Sequence, residues 1–190
     1  SQDLGSKTKK IDIANEICAV LTLSADKDSS QTGVLCYSDK KEIYIKAKKG
    51  HKHTYEVVTK VLQLKPKSLK TDLNKALKTL TQLIKRRAIV IIISDFIDTD
   101  FDKPLKYLAQ KHDLILIHIN DKRETILPKM GIIPVYDKES GKTQWVNSSS
   151  SSFGNALSNK LVLEKENLEE LCSKHNISYL HVNTEDNYVD

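Results

Sequence analysis

The chain has 190 residues and a mass of 21.5 kDa, the length of one ordinary domain, with 39% hydrophobic and 29% charged residues. That composition excludes an intrinsically disordered chain. The longest apolar run, Ala88 to Ile93, is six residues, too short to span a bilayer. Neither a membrane segment nor a secretory leader is visible in the chain, and a cytoplasmic location is expected. Three widely spaced cysteines (Cys18, Cys36 and Cys172) form no CxxC pair, which argues against a disulfide framework or zinc site and for reducing surroundings.

The net charge of +5 conceals an asymmetry. Residues 1–95 carry 19 Lys and Arg against 10 Asp and Glu, whereas residues 96–190 carry 11 against 15. A basic half suits an anionic partner. Of the 30 basic residues, however, only Arg86, Arg87 and Arg123 are arginine. Arginine is the better reader of bases and phosphates, so the lysine bias argues against a nucleic-acid partner.

In chain order, Ile11 to Ala25 reads as a helix with Ile13, Ile17, Val20, Leu21 and Leu23 on and beside one face. Thr32 to Tyr37 and Glu42 to Ala47 are β-prone runs around Ser38-Asp39-Lys40-Lys41, a hairpin signal. His53 to Leu64 is helical and is stopped by Pro66. Thr71 or Asp72 caps the next helix, which runs through Lys85 with Leu73, Ala76, Leu77, Leu80 and Leu83 at helical spacing. Ala88 to Ile93 is apolar at every position, the mark of a strand buried on both faces of a parallel sheet. Pro104 to His112 is a helix with proline in its first turn, and Leu114 to Ile119 is a second buried strand. Ile132 to Tyr136 and Lys142 to Val146 flank a second hairpin turn. Ser148 to Ser152 reads as a surface loop, Phe153 to His175 as a long helix and Ile177 to Val182 as a last strand. Helices alternating with buried strands predict an α/β domain with a mostly parallel sheet.

In such sheets, ligands collect at the carboxyl ends of the strands. The run Ala88 to Ile93 leads straight into Ser94-Asp95-Phe96, followed by Asp98, Asp100 and Asp102. A carboxylate there suits a hard divalent cation. The competing reading is that Asp95 caps the following turn and the later aspartates are solvated loop charges. Thr71 and Asp72 offer a hydroxyl and a carboxylate at the start of another helix, where plain N-capping is the alternative.

These residues, with Lys85-Arg86-Arg87 before the strand, resemble the second half of a bacterial family known as domain of unknown function 58. Gly33-Val34-Leu35, Lys49-Gly50-His51, Thr71-Asp72-Leu73, Lys111-His112-Asp113, Leu127-Pro128, Tyr136-Asp137 through Gly141 and Asn183 to Val189 fit in register over nearly the whole chain. Members are often encoded beside MoxR-type AAA+ ATPases, and this region is similar to a von Willebrand factor A domain.

The resemblance implies a Rossmann-like, doubly wound, mostly parallel sheet flanked by helices, carrying a metal-ion-dependent adhesion site built from Asp-x-Ser-x-Ser, a Thr and an Asp. Thr71 then matches the Thr, Asp95 the Asp, and Ser1 the last Ser of the first motif. Gln2, Asp72, Ser94 and Asp98 form the rim that a partner would meet. The Asp and first Ser of that motif, and the central strand leading to them, are absent from this chain. That strand belongs between residues 32–37 and 88–93. Residues 1–190 are therefore expected to hold one such domain, cut at its N-terminal side and at its C-terminal end. The implied function is a non-enzymatic protein-interaction module. It would work with a MoxR-type AAA+ ATPase and take a protein partner that offers an acidic residue to a Mg²⁺ or Mn²⁺ ion. Without the first Asp, occupancy of that ion in this chain is expected to be weak or nil.

An alternative is a Mg²⁺-dependent phosphoryl-transfer enzyme using Asp95, with Asn120-Asp121-Lys122 at the next strand end as support. Nucleic-acid binding through the basic half is a second alternative. Other features read more plainly. His51 and His53 suit a loop or helix start, Lys40 to Lys52 a solvated edge hairpin, and Cys18 and Cys36 core positions. Cys172 and His175 share a helix face, but no third orienting group supports a catalytic pair. Neither GxGxxG nor GxxxxGK[ST] occurs, which argues against ATP binding.

Overall fold

A computed structural model describes residues 2–66, 68, 71–120, 132–136, 143–147 and 150–184. The first helix, α1, runs Gln2–Lys27, starting well before the expected Ile11. Its opening residues lack apolar periodicity, so the sequence pattern exposed only the core-facing part. Ile13 and Ala19 are buried, whereas Val20 and Leu23 are exposed.

Strands β1 (Thr32–Tyr37) and β2 (Lys41–Lys48) form the expected antiparallel hairpin. Gly33 sits at an irregularity in the register, and a Cβ there would lie 2.7 Å from the Ala47 nitrogen and 2.8 Å from the Ile45 oxygen. Glycine is required because the strand backbones approach too closely for any side chain. Helix α2 (His51–Leu62) packs on α1. Its Val57 and Val61 join Ile45 in a small core, with Cys18, Val34, Cys36 and Ile43 against it. His53, expected at an exposed helix start, is buried instead. Its Nε2 lies 2.8 Å from the Thr32 carbonyl oxygen, which ties α2 to β1.

The main core surrounds a parallel sheet ordered β3 (Ile89–Ser94), β4 (Asp113–Asn120), β7 (Ser178–Asn183). Helices α3 (Leu73–Leu83), α4 (Asp102–Lys111) and α5 (Ser151–Lys174) complete this unit. Leu77, Leu105, Leu108, Leu116 and Cys172 are all but completely buried within it. The low-complexity serines expected to form a loop partly do otherwise: α5 begins at Ser151. A separate antiparallel pair joins β5 (Ile132–Tyr136) to β6 (Thr143–Asn147), as the second hairpin signal requires. Its turn lies outside the described residues. No described helix is long and apolar enough to cross a membrane.

The expected burial of the first core strand on both faces fails. β3 is buried on only one face: Val90 and Ile92 point into the core, whereas Ile89 is 69% and Ile91 36% exposed. The cause is position. Among the described residues β3 is an edge strand, hydrogen-bonded to β4 alone, and β1 pairs only with β2. Residues 32–37 and 89–94 do not pair with each other. The unbroken apolar run therefore reports a strand suited to a two-sided sheet, while its second face and outer edge stay uncovered among the described residues.

Candidate functional site

Parallel pairing places the carboxyl ends of β3, β4 and β7 at one end of the sheet. The register aligns Ser94 with His118 and His118 with His181, and one step lower Ile92 with Leu116 and Leu116 with Tyr179. Residues two apart on a strand share a face, so a polar row closes the apolar core just where β3 ends. His118 Nδ1 is 2.7 Å from the Tyr179 hydroxyl, and the His181 and Phe96 rings meet it edge-on at 5.3 and 5.6 Å. Burial, reinforced by His181, pushes the His118 imidazole down to about 4. It is neutral at pH 7, although the Asp95 carboxylate pulls the other way.

Asp95 follows the last residue of β3. Its Oδ2 lies 3.6 Å from Lys10 Nζ of α1, with the lysine side chain 10% and the aspartate side chain 36% exposed. A nearly buried ammonium is costly without an anion beside it, so Asp95 offsets the burial of Lys10. Ser94 Oγ accepts a hydrogen bond from the Phe96 N–H at 3.2 Å, and Phe96 takes a left-handed φ of 49°. That conformation is strained for a bulky residue. Packing of the Phe96 ring on Phe101 and His118 helps to hold it.

The loop after β3 is stitched to the start of α3. Asp98 Oδ2 accepts from the Leu73 N–H at 2.6 Å, and Asn74 Nδ2 donates to the Asp100 carbonyl at 2.6 Å. Asp72 is the N-cap of α3, accepting from the Lys75 N–H at 2.8 Å and pairing with Lys75 Nζ at 2.7 Å. The Lys75 contacts hold its carboxyl below the usual range. Thr71, exposed, immediately precedes this cap. Residues 71–74 and 94–100, distant in sequence, are thus brought to one end of the sheet. Ser1 lies outside the described residues, and Gln2 only opens α1.

Two of the rim carboxylates have work as helix caps, and a lysine already neutralises Asp95. Among the described residues no three His, Cys, Asp or Glu side chains converge to hold a metal ion. Thr71 and Asp95 are the members of the expected cation site among the described residues. Burial pushes Cys36 up to about 12 and Cys172 up to about 11, and raises Cys18 as well, so no reactive thiolate forms at neutral pH. Asn120 ends β4, with its carbonyl accepting from the Thr184 N–H at 3.0 Å, while Asp121 and Lys122 lie outside the described residues.

Lys10, His118, Tyr179 and His181 are members of this site that the sequence reading passed over. A histidine two places from the end of an apolar strand was the available signal for His118. Lys10 carried none, because nothing local links α1 to the end of β3.

Comparison with known proteins places the chain. Uncharacterized proteins Rv1480 of Mycobacterium tuberculosis and Mb1516 of Mycobacterium bovis are each 27% identical to it over 145 residues, covering 74% of the chain. The chain spans 46% of the length of these relatives. A shorter match, 32% over 80 residues, joins it to uncharacterized protein MAV169 of Mycobacterium avium, covering 42% of the chain and 47% of that protein. Among solved structures, the conserved hypothetical protein BatB from Bacteroides thetaiotaomicron shares the fold at a TM-score of 0.53 and 13% identity, covering 91% of this chain and 80% of that one. The family profile described as "Protein of unknown function DUF58" matches residues 1–166. The chain belongs to the DUF58 family.

Proposed function

We propose that this chain is a non-enzymatic protein-interaction module of von Willebrand factor A-like architecture whose binding end is the carboxyl rim of the β3–β4–β7 sheet. The observation that carries this reading is the stitching of residues 71–74 to the loop after β3 through the Asp98–Leu73 and Asn74–Asp100 hydrogen bonds. It gathers Thr71, Asp72, Ser94, Asp95 and Asp98 on one rigid edge, the place where open α/β sheets bind ligands. The unpaired edges of β1 and β3 among the described residues support a further central strand between them.

In this reading Ser1, Thr71 and Asp95 mark the place of a divalent cation, Mg²⁺ or Mn²⁺, in the parent protein. This chain alone binds it weakly, because Lys10 competes for Asp95. The partner is a protein that presents an acidic residue to this edge, and the associated machine is a MoxR-type AAA+ ATPase. The phosphoryl-transfer alternative is separated by incubating the protein with p-nitrophenyl phosphate and Mg²⁺. The module reading predicts no turnover above background. Robust turnover that disappears in Asp95→Asn would overturn it.

A further inference from the structure

At the opposite end of β3, about 20 Å from the Asp95 edge by the rise of a six-residue strand, the chain carries a second and chemically different surface. The C-terminal ends of α3 and α4 enclose a groove of about 470 Å³, walled by Lys85, Arg86, Arg87, Lys111 and His112, with Tyr107 between them. Thr81, Gln82 and Tyr107 are shared with an adjoining depression of about 420 Å³ that adds Lys78, Lys103 and Pro104. Among the described residues no carboxylate lines either part. Two of the three arginines of the whole chain are here. Arg87 is engaged by Asp113, with its Nη2 2.7 Å from Oδ1 and Nε 3.3 Å from Oδ2.

Helix-end electrostatics account for part of this. Lys111 lies in the last turn of α4, where a cation favours the helix dipole. They do not account for Lys85 and Arg86, which lie beyond the end of α3 and add repulsion to one another and to Arg87. Nor do they account for His112. The residue is 6% exposed, it forms part of the groove wall, and among the described residues neither ring nitrogen has a hydrogen-bond partner. A buried imidazole left unsatisfied is costly, and such groups are usually completed by a ligand or water. Burial and the neighbouring Lys111 lower its proton affinity. At neutral pH it thus offers one N–H donor and one acceptor.

We propose that this groove binds an extended acidic segment of a partner protein. Its carboxylates pair with Lys85, Arg86 and Lys111, and an apolar side chain of the segment rests on Tyr107 and Pro104, with His112 beneath them in the groove wall. Charge complementarity and two adjoining depressions that share Thr81, Gln82 and Tyr107 favour a peptide. The shortage of arginine outside this spot argues against a nucleic-acid track. The surface is independent of the Asp95 edge.

The test is fluorescence anisotropy with a fluorescein-labelled peptide of sequence Glu-Glu-Leu-Glu-Glu-Leu-Glu-Glu-Leu. The native chain is compared with Lys85→Glu/Arg86→Glu and with Lys40→Glu/Lys41→Glu, which makes the same change in net charge on the β1–β2 hairpin. Both substitution sets are at exposed positions, and circular dichroism checks their folding. The expected result is saturable binding that weakens about tenfold in the groove variant and less than about twofold in the hairpin variant. The ring resonances of His112 should shift on saturation of the native chain. Equal weakening in both variants would show mere net-charge attraction and overturn the proposal. So would an absence of saturable binding, an unmoved His112, or displacement of the peptide by a lower concentration of a single-stranded oligonucleotide of equal charge.

Discussion

Replacing Gly33 by alanine probes how β1 and β2 are held together. An added Cβ would sit 2.7 Å from the Ala47 nitrogen, 2.8 Å from the Ile45 oxygen and 3.0 Å from the Ala47 Cα. All three are backbone atoms, so no side chain can swing away. Ordinary contact begins near 3.4 Å. The strands must therefore separate by about 0.7 Å at a point where the hairpin also buries Ile45 against Val57 and Val61. Overpacking of this kind costs about 1–3 kcal/mol. The upper part of that range applies here, because relief moves the ladder and opens the small core together. Gly154 is the internal control: it lies in α5 with nothing within 4 Å of an added Cβ. There alanine should stabilise by about 0.5–1 kcal/mol through helix propensity. Urea unfolding followed by circular dichroism, with m-values compared, reads both effects. A Gly33→Ala midpoint equal to or above the native one would refute the close approach of the strands.

Truncating Leu116, fully buried in the main core, to alanine should cost about 2–5 kcal/mol in the same urea experiment. Asp98→Ala should cost about 1 kcal/mol, since it leaves the Leu73 N–H without its acceptor, and should raise hydrogen exchange at the first turn of α3. His118 is pushed down to about 4, below its unfolded value of 6.5. Between those pH values the unfolded chain binds the extra proton, so the stability His118 contributes is complete above about 6.5 and is lost as pH falls towards 4. The ceiling is about 3 kcal/mol, and partial solvent access reduces it to about 1–2 kcal/mol. Melting curves at pH 7 and pH 4.5 should accordingly converge for native protein and His118→Gln. Parallel curves would show that His118 titrates normally.

Where local pattern dictates structure, the sequence read well. The β-prone runs flanking Ser38 to Lys41 became β1 and β2, Asp72 became the cap of α3, and the apolar runs near residues 90 and 116 became adjacent parallel strands. The failures share one physical origin. Composition says that a strand could be buried on two faces, not that covering elements are present. Ile89 and Ile91 are exposed because nothing described lies over them. The polar beginning of α1 is helical without an apolar stripe to announce it, and its Lys10 reaches Asp95, 84 residues intervening in the chain. Asp98 looked like a solvated loop charge or a rim residue and proves to cap another element. A carboxylate does the same for a backbone N–H or a cation, so residue type alone does not separate these roles.

The central claim is that the Asp95 edge is a protein-binding surface, and biolayer interferometry tests it most directly. The protein is immobilised and exposed to the MoxR-type AAA+ ATPase of the same organism in Mg²⁺, alongside Asp95→Asn, whose folding is checked by circular dichroism because Asp95 pairs with the nearly buried Lys10. The account predicts saturable binding to the native edge that weakens about tenfold or more when the carboxylate is neutralised. Binding of equal strength to both, or to neither, would contradict it.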